Sequence, residues 1–444
     1  MKVLFVSYEV SPIYKRGGLG DVAGTLPKIL KSSGVDIRIG MPAYEGVAHP
    51  HMLPGTQIPM IYVDDPVVAN VQKEKKIPAK ASVGFAFFCQ EILKKTKKLG
   101  FQPDIIHIND WHTGLIPFLL HAQPDPFFAR TRVLLTIHNT KYQGIFRIKY
   151  LLDHPKTVGI GNLLYEPHKT YVNYLRTGVQ EADYISTVSP HFASEIRHKK
   201  FGFGVGGPIR KRRRKFVGIL NGIDYDEWNP KTDQYIDSFD AKTLTVGKAQ
   251  AKLALQREVG FGDDLSLPVF GMVARIVQQK GFDILIPVLE KLRGKSVRIV
   301  ILGSGQKNIS SILEKIAQKY SNYAVRITYY EKLAHHIYAG SDFFLVPSIF
   351  EPCGLTQMIA MAYGTIPVVS RVGGLVDTVD DGKTGFLLKH HSEAGLVEAI
   401  SCATDVYADS EKLITMRRVC MSQKFSWEKS AKAYLNLYTQ MSKK

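Results

Sequence analysis

Cysteine is scarce in this chain: there are four in 444 residues, and Cys89, Cys353, Cys402 and Cys420 show no CxxC spacing. That leaves a disulfide framework and a thiolate zinc site without support, and no HExxH motif supplies an imidazole alternative. No metal is expected. Long apolar runs are missing too. None approaches membrane-spanning length, and the opening MKVLFVSYEV contains a short apolar strand in place of a signal peptide. These absences fit a reducing cytoplasm with no membrane span.

Acidic residues also fall short, 40 against 58 Lys and Arg, for a formal charge of +18. Such an excess serves nucleic acid, an anionic surface or a phosphorylated substrate. Much of it sits in two dense runs, residues 94–98 and 210–215, of the kind that usually form solvated surface. No recognisable nucleic-acid module accompanies them, so nucleic acid is not an expected partner.

What the chain does have is length for two domains and a repeated strand–helix alternation. Residues 2–6, 36–40, 104–108, 132–137 and 184–188 read as strands, with helices over 22–31 and 83–99. The second half repeats the pattern, with strands over 269–275, 297–302, 325–329, 342–347, 365–369 and 385–388. Helices are expected from 281 onward, over 355–363 and 393–402, and over 426–441 with Trp427, Tyr434 and Tyr438 on apolar positions. The alternation predicts an α/β chain with two Rossmann-like domains.

Polar residues gather where these strands end. Glu351 lies in a loop between a buried strand and a helix start, where a carboxylate stands beside N–H donors that favour phosphate; an ordinary helix-stabilising Glu is the other reading. Arg275 and Lys280 flank the loop RIVQQK, so both cations can converge at one strand end and stabilise charge on a departing phosphate. His107, Asp110 and His112 lie within six positions beside Trp111, a set suited to holding hydroxyls or moving protons, or else to capping a helix at Asp110. His138 and Asn139 follow the next strand. Near the start, Lys15 precedes Gly17, Gly18 and Gly20, which let the backbone bend close to a ligand. Asp64–Asp65 before Pro66 reads as a turn, not a metal site.

The words KRGGLGDV, HINDWHT, TIHNTKYQG, ILNGID, RIVQQKG, EPCGLTQ and AYGTIPVV, in this order, resemble those of bacterial glycogen synthases and plant starch synthases. These are retaining glucosyltransferases of family 5 with the GT-B fold, two Rossmann-like domains facing a central cleft. The resemblance implies an acceptor-side domain over 1–217, a nucleotide-sugar domain over 218–425, and a final helix over 426–444 that returns to the first. It implies glucose transfer from ADP-glucose to the nonreducing end of an α-1,4-glucan, with ADP-glucose as co-substrate and no other cofactor. Glu351, Arg275, Lys280, Asp110 and His138 become the catalytic candidates. Lys15, Gly17, Gly18, Asp21, Asn139, Asn221, Tyr329, Cys353, Gly354, Leu355, Thr356, Gly373 and Gly374 become the substrate-binding ones, Tyr329 by stacking on the base.

The chain departs from the family at several points. Relatives carry a longer aromatic and Arg-bearing insert in the region over 42–80, where this chain runs almost directly from residues 62–65 to 85–88. Tyr330 stands for an acidic residue, His336 and Ile349 for arginines, and Val372 for a threonine. UDP-glucose, a small acceptor, or a noncatalytic glucan-binding role are the alternatives these departures leave open.

Overall fold

β1 (Lys2–Val6) sets the pattern of the first unit. Its side chains alternate between two faces, Val3 and Phe5 on one and Leu4 and Val6 on the other, and all four are fully buried in two separate apolar clusters. A strand covered on both faces belongs inside a parallel sheet flanked by helices. The computed structural model describes residues 1–71, 78–328 and 330–443.

The sheet around β1 contains β2 (Asp36–Pro42), β3 (Met60–Val63), β4 (Ile105–Asn109), β5 (Arg132–Ile137), β8 (Tyr184–Thr187) and β9 (Phe216–Gly218). Between β5 and β8 in the chain, β6 (Ile145–Arg147) and β7 (Tyr171–Asn173) form a separate antiparallel ribbon. The order is β3-β2-β1-β4-β5-β8-β9, every pair parallel. The order reverses at β1 and β4, and such a switch point opens a crevice at the carboxyl ends of the strands.

The second unit repeats this plan with β10 (Val269–Val273), β11 (Arg298–Leu302), β12 (Tyr323–Arg326), β13 (Phe343–Val346), β14 (Ile366–Ser370) and β15 (Phe386–Leu388). Its order, β12-β11-β10-β13-β14-β15, again all parallel, puts the switch point between β10 and β13.

The compact units are Met1–Asn221 with Trp427–Lys444, and Gly222–Ser426. The last helix, Trp427–Ser442, buries Trp427, Ala431, Tyr434, Tyr438 and Met441 at helical spacing beside the helix Gly18–Ser32 of the first unit. Tyr438 reaches the sheet itself, its hydroxyl 2.7 Å from His107 Nδ1.

Two expectations need adjusting. The helix expected over 22–31 starts at Gly18, so Gly18, Leu19, Gly20 and Asp21 are helical, not part of a turn. The strand expected over 325–329 is Tyr323–Arg326, where Tyr323, Ala324 and Val325 are buried; Tyr329 lies outside the described residues. Among the described residues no helix is long and apolar enough to cross a membrane.

Candidate active site

In the first unit the site residues are placed by the ends of β1, β4 and β5. Glu9, three residues past β1, is 1% exposed, and its Oε2 accepts the N–H groups of Arg16 and, at 3.0 Å, Gly17. A buried carboxylate therefore satisfies donors at the start of the helix Gly18–Ser32, which carries no side-chain cap of its own. Burial raises the Glu9 carboxyl above its ordinary range, against the lowering effect of those two N–H groups. Sequence reasoning missed Glu9. The only signal was an acid placed directly after a buried strand. Lys15, just before the helix, is exposed and pairs with Asp21 of its first turn at 2.5 Å.

Asp110 follows β4 with φ of 56°, a left-handed conformation uncommon outside glycine. Its side chain does not cap the 3-10 turn Trp111–Thr113, so the helix-capping reading fails. Instead Oδ1 accepts from His138 N at 2.7 Å and Asn139 N at 3.4 Å, bridging the ends of β4 and β5. Burial pushes this carboxyl up to about 7, with the Glu9 charge adding to the rise and the two N–H groups opposing it.

His138 Nε2 lies 2.9 Å from Asn109 Oδ1, and Asn109 Nδ2 donates to Val6 O at 3.0 Å. The amide orientation makes Oδ1 an acceptor, which places the His138 proton on Nε2 and leaves Nδ1 as a lone pair. Burial lowers the imidazole to about 3, so it is neutral at physiological pH. The other two histidines face inward. His107 is held by Tyr438 and by Thr136 Oγ1 at 2.6 Å, and His112 stacks between Tyr8 and Trp111. Of the ionisable cluster at 107–112, only Asp110 belongs to the strand-end site. Asn139 Oδ1 accepts from Lys141 N at 2.9 Å, and Asn221, 6% exposed, has an Oδ1 with no partner among the described residues.

These values carry a prediction. The folded Asp110 carboxyl holds its proton to about pH 7, whereas the unfolded one releases it near 4. Between those limits the native state binds more protons, so this group lowers stability as pH rises. Relative to wild type, Asp110→Asn should therefore gain stability between about pH 5 and about pH 8. Urea midpoints at the two pH values check it, and a constant difference would contradict the assignment.

In the second unit the loops leaving β10 and β13 are bound to each other. Gly281 has φ of 82°, and a Cβ there would lie 1.7 Å from Pro347 O. Only glycine allows that approach. Ile349 N donates to Gln279 O at 2.9 Å, and Gln279 Nε2 to Phe350 O at 3.2 Å. This backbone frame brings Lys280 Nζ within 2.6 Å of Glu351 Oε2, which also accepts from Ser348 Oγ at 3.0 Å. The two side chains are 17% and 9% exposed. Glu351 Oε1 takes no hydrogen bond from the described residues and is not sealed in the interior, so it is the oxygen open to a ligand. Arg275 is exposed at the end of the same β10 loop and forms no ion pair with a described residue.

Glu351 is fixed from the far side as well. Its carbonyl accepts from Gly374 N at 3.0 Å, and Gly373 lies against the same oxygen. The Gly374 N–H is thereby committed within the protein, which removes it from the donors expected for phosphate. Gln357 Nε2 binds Cys353 O, Gly354 O and Thr378 Oγ1, holding Cys353, Gly354, Leu355 and Thr356 at the start of the helix Thr356–Ala362. Of the substituted neighbours, His336 is turned to Glu258 and to Tyr235 O, Tyr330 is half-exposed, and Val372 precedes the helix Gly373–Thr378.

Among the described residues one metal-compatible trio, Glu227, Glu331 and His335, has ligand atoms within 4.8 Å of one another. His335 Nδ1 is bonded to Asp233 and its ring stacks on Trp228, while its Nε2 is buried with no hydrogen-bond partner among the described residues.

Two parallel-sheet units, each with polar groups at its switch point, define an α/β glycosyltransferase of the GT-B fold. Residues 2–211 match the starch synthase catalytic domain, and residues 267–405 match glycosyl transferases group 1. The chain is 38% identical to a glycogen synthase of Thermotoga maritima, covering 99% of this chain and 98% of the relative. It is 38% identical to one of Vibrio cholerae, covering 98% of each. The catalytic domain of starch synthase IV from Arabidopsis thaliana, bound to ADP and acarbose, superposes with a TM-score of 0.91 at 31% identity, covering 100% of this chain and 99% of that one. The chain belongs to the glycogen synthase and starch synthase family and is a glycosyltransferase enzyme.

Proposed function

We propose that the enzyme transfers glucose from ADP-glucose to the nonreducing 4-hydroxyl end of an α-1,4-glucan, with retention of the α configuration. The observation that carries this reading is the Lys280–Glu351 pair at the β10–β13 switch point, in the loop that Arg275 opens. As the bond from glucose C1 to the diphosphate oxygen breaks, charge builds on that oxygen. Lys280, held against Glu351, and Arg275, exposed in the same loop, are the cations that stabilise it. Glu351, held on Oε2, offers Oε1 to the glucose. The acceptor 4-hydroxyl attacks C1 from the side the phosphate leaves, and its proton passes to the departing phosphate oxygen.

In the first unit Asp110 and the neutral His138 suit sugar hydroxyls, with His138 Nδ1 as an acceptor and Asn139 and Asn221 adding polar groups. Lys15 suits phosphate, Gly17 and Gly18 keep the adjoining backbone free of side chains, and Asp21 orients the lysine. Its ion pair with Asp21 is exposed and so weakly held that a phosphate competes well for the cation. Cys353, Gly354, Leu355, Thr356 and Gly373 line the loop next to Glu351. The ADP and acarbose bound to the Arabidopsis relative favour ADP-glucose over UDP-glucose and a glucan over a small acceptor.

The test is transfer from ADP-glucose and UDP-glucose, separately, to glycogen and to maltooligosaccharides, with Arg275→Ala and Glu351→Ala alongside. Elongation by wild type with ADP-glucose preferred, lost on the order of 10²-fold or more in either variant, is the expected result. Preference for UDP-glucose would overturn the donor, and undiminished transfer by Glu351→Ala would overturn the site.

A further inference from the structure

The basic run over residues 210–215 has no part in the chemistry above. We propose that it is a binding site for a compact anion carrying two or more phosphate groups. Among the described residues, Arg210, Lys211, Arg212, Arg213, Arg214 and Lys215 line a shallow, open recess of about 560 Å³ on the first unit.

The run is anchored. Arg212 donates to the carbonyl oxygens of Val179, Gln180, Ala182 and Asp183, at and just past the end of the helix Tyr174–Glu181, and Arg210 donates to Arg197 O. Exposed carbonyls at a helix C-terminus favour a cation, so Arg212 fastens the segment while its neighbours stay outside. Lys211, Arg213 and Arg214 are exposed and have no carboxylate partner among the described residues. The Lys215 ammonium lies 5.8 Å over the Tyr184 ring.

The nearby acids Glu181 and Asp183 act on Arg212, the anchoring cation, and have further partners of their own. Glu181 pairs with His121 at 2.9 Å, and Asp183 accepts from Val133 N at 2.8 Å and lies 3.7 Å from Arg132. The outward cations Lys211, Arg213 and Arg214 are therefore gathered on a fixed base without a carboxylate partner among the described residues, an arrangement that attracts anions and repels cations. Guanidinium forks match phosphate oxygens two at a time, which favours phosphate over a single carboxylate. A neutral glucan gains nothing from this field. Single-stranded nucleic acid is disfavoured because no aromatic side chain among the described residues lines the space to stack on a base.

The probe is inorganic tripolyphosphate, titrated calorimetrically into the full chain at about 0.15 M salt. One variant carries Arg213→Gln, Arg214→Gln and Lys215→Gln. A control carries Lys94→Gln, Lys97→Gln and Lys98→Gln, removing the same formal charge from the other basic run. Wild type and control should bind alike, and the first variant about tenfold or more weaker, with unchanged glucosyl transfer reporting an intact fold. Equal weakening in both variants would reduce the effect to net charge and overturn the site, as would no binding or no difference. Single-stranded DNA that binds about tenfold or more tighter than tripolyphosphate through the same three residues would replace the compact anion with nucleic acid.

Discussion

Lys280→Ala should lower glucosyl transfer on the order of 10²-fold or more and also destabilise the protein by about 3 kcal/mol, whereas Lys280→Ala with Glu351→Gln should regain most of the stability and none of the activity. The reason is the 2.6 Å pair and its surroundings. Glu351 is 7% exposed, and Lys280 is the cation bonded to it. Removing the lysine leaves a carboxylate that is mostly out of water and without its counter-charge, which costs far more than the net worth of the pair. Glutamine at 351 is neutral and still accepts from Ser348 Oγ, so the second substitution removes the stranded charge and its cost. It cannot restore a cation to the departing phosphate. Denaturant midpoints and kcat for wild type, both singles and the double close the cycle. A double variant as unstable as Lys280→Ala would show that the lysine acts through packing of its stem, and recovery of transfer would remove it from the chemistry.

Much of this frame was legible in the sequence because buried parallel strands are short apolar runs and the polar residues after them stand out. Residues 2–6 and 132–137 were read with their observed limits, as β1 and β5. The loop around Glu351 and the loop from Arg275 to Lys280 were placed at strand ends by the same contrast. The misreadings have physical causes. Gly18 and Gly20 look like turn residues, yet the N–H groups just before them are satisfied by Glu9, so the helix starts four residues early; that bond spans a loop and leaves no periodic trace. His107 and His112 looked as functional as Asp110 because sequence spacing does not show which way a side chain points. His107 lies in β4 and is turned to Thr136 and Tyr438, the latter 331 positions away. The commitment of Gly374 N–H to Glu351 O was equally invisible, since it joins two loops whose proximity comes from β13 and β14 pairing.

That junction supports the second large effect. Gly373→Ala should cost about 10²-fold in transfer and more stability than Gly382→Ala, which should cost about 1 kcal/mol and little activity. Both glycines have positive φ, 47° and 76°, so alanine is strained at either position. They differ in what a new Cβ meets. At Gly382 nothing lies within 4 Å, and the cost is conformational alone. At Gly373 the Cβ would lie 1.9 Å from Glu351 O and 2.8 Å from its carbonyl carbon. Backbone cannot rotate away as a side chain does, so relief requires moving Glu351. That movement opens the Gly374 N–H bond and draws the carboxylate from Lys280 and Ser348, and a displacement near 1 Å is enough to lose about two orders of magnitude in rate. Measuring kcat and the denaturant midpoint for the two variants separates strain from displacement. If Gly373→Ala matches Gly382→Ala in both, the loop carrying Glu351 yields without losing its geometry, and the rigid frame argued for the second unit is wrong.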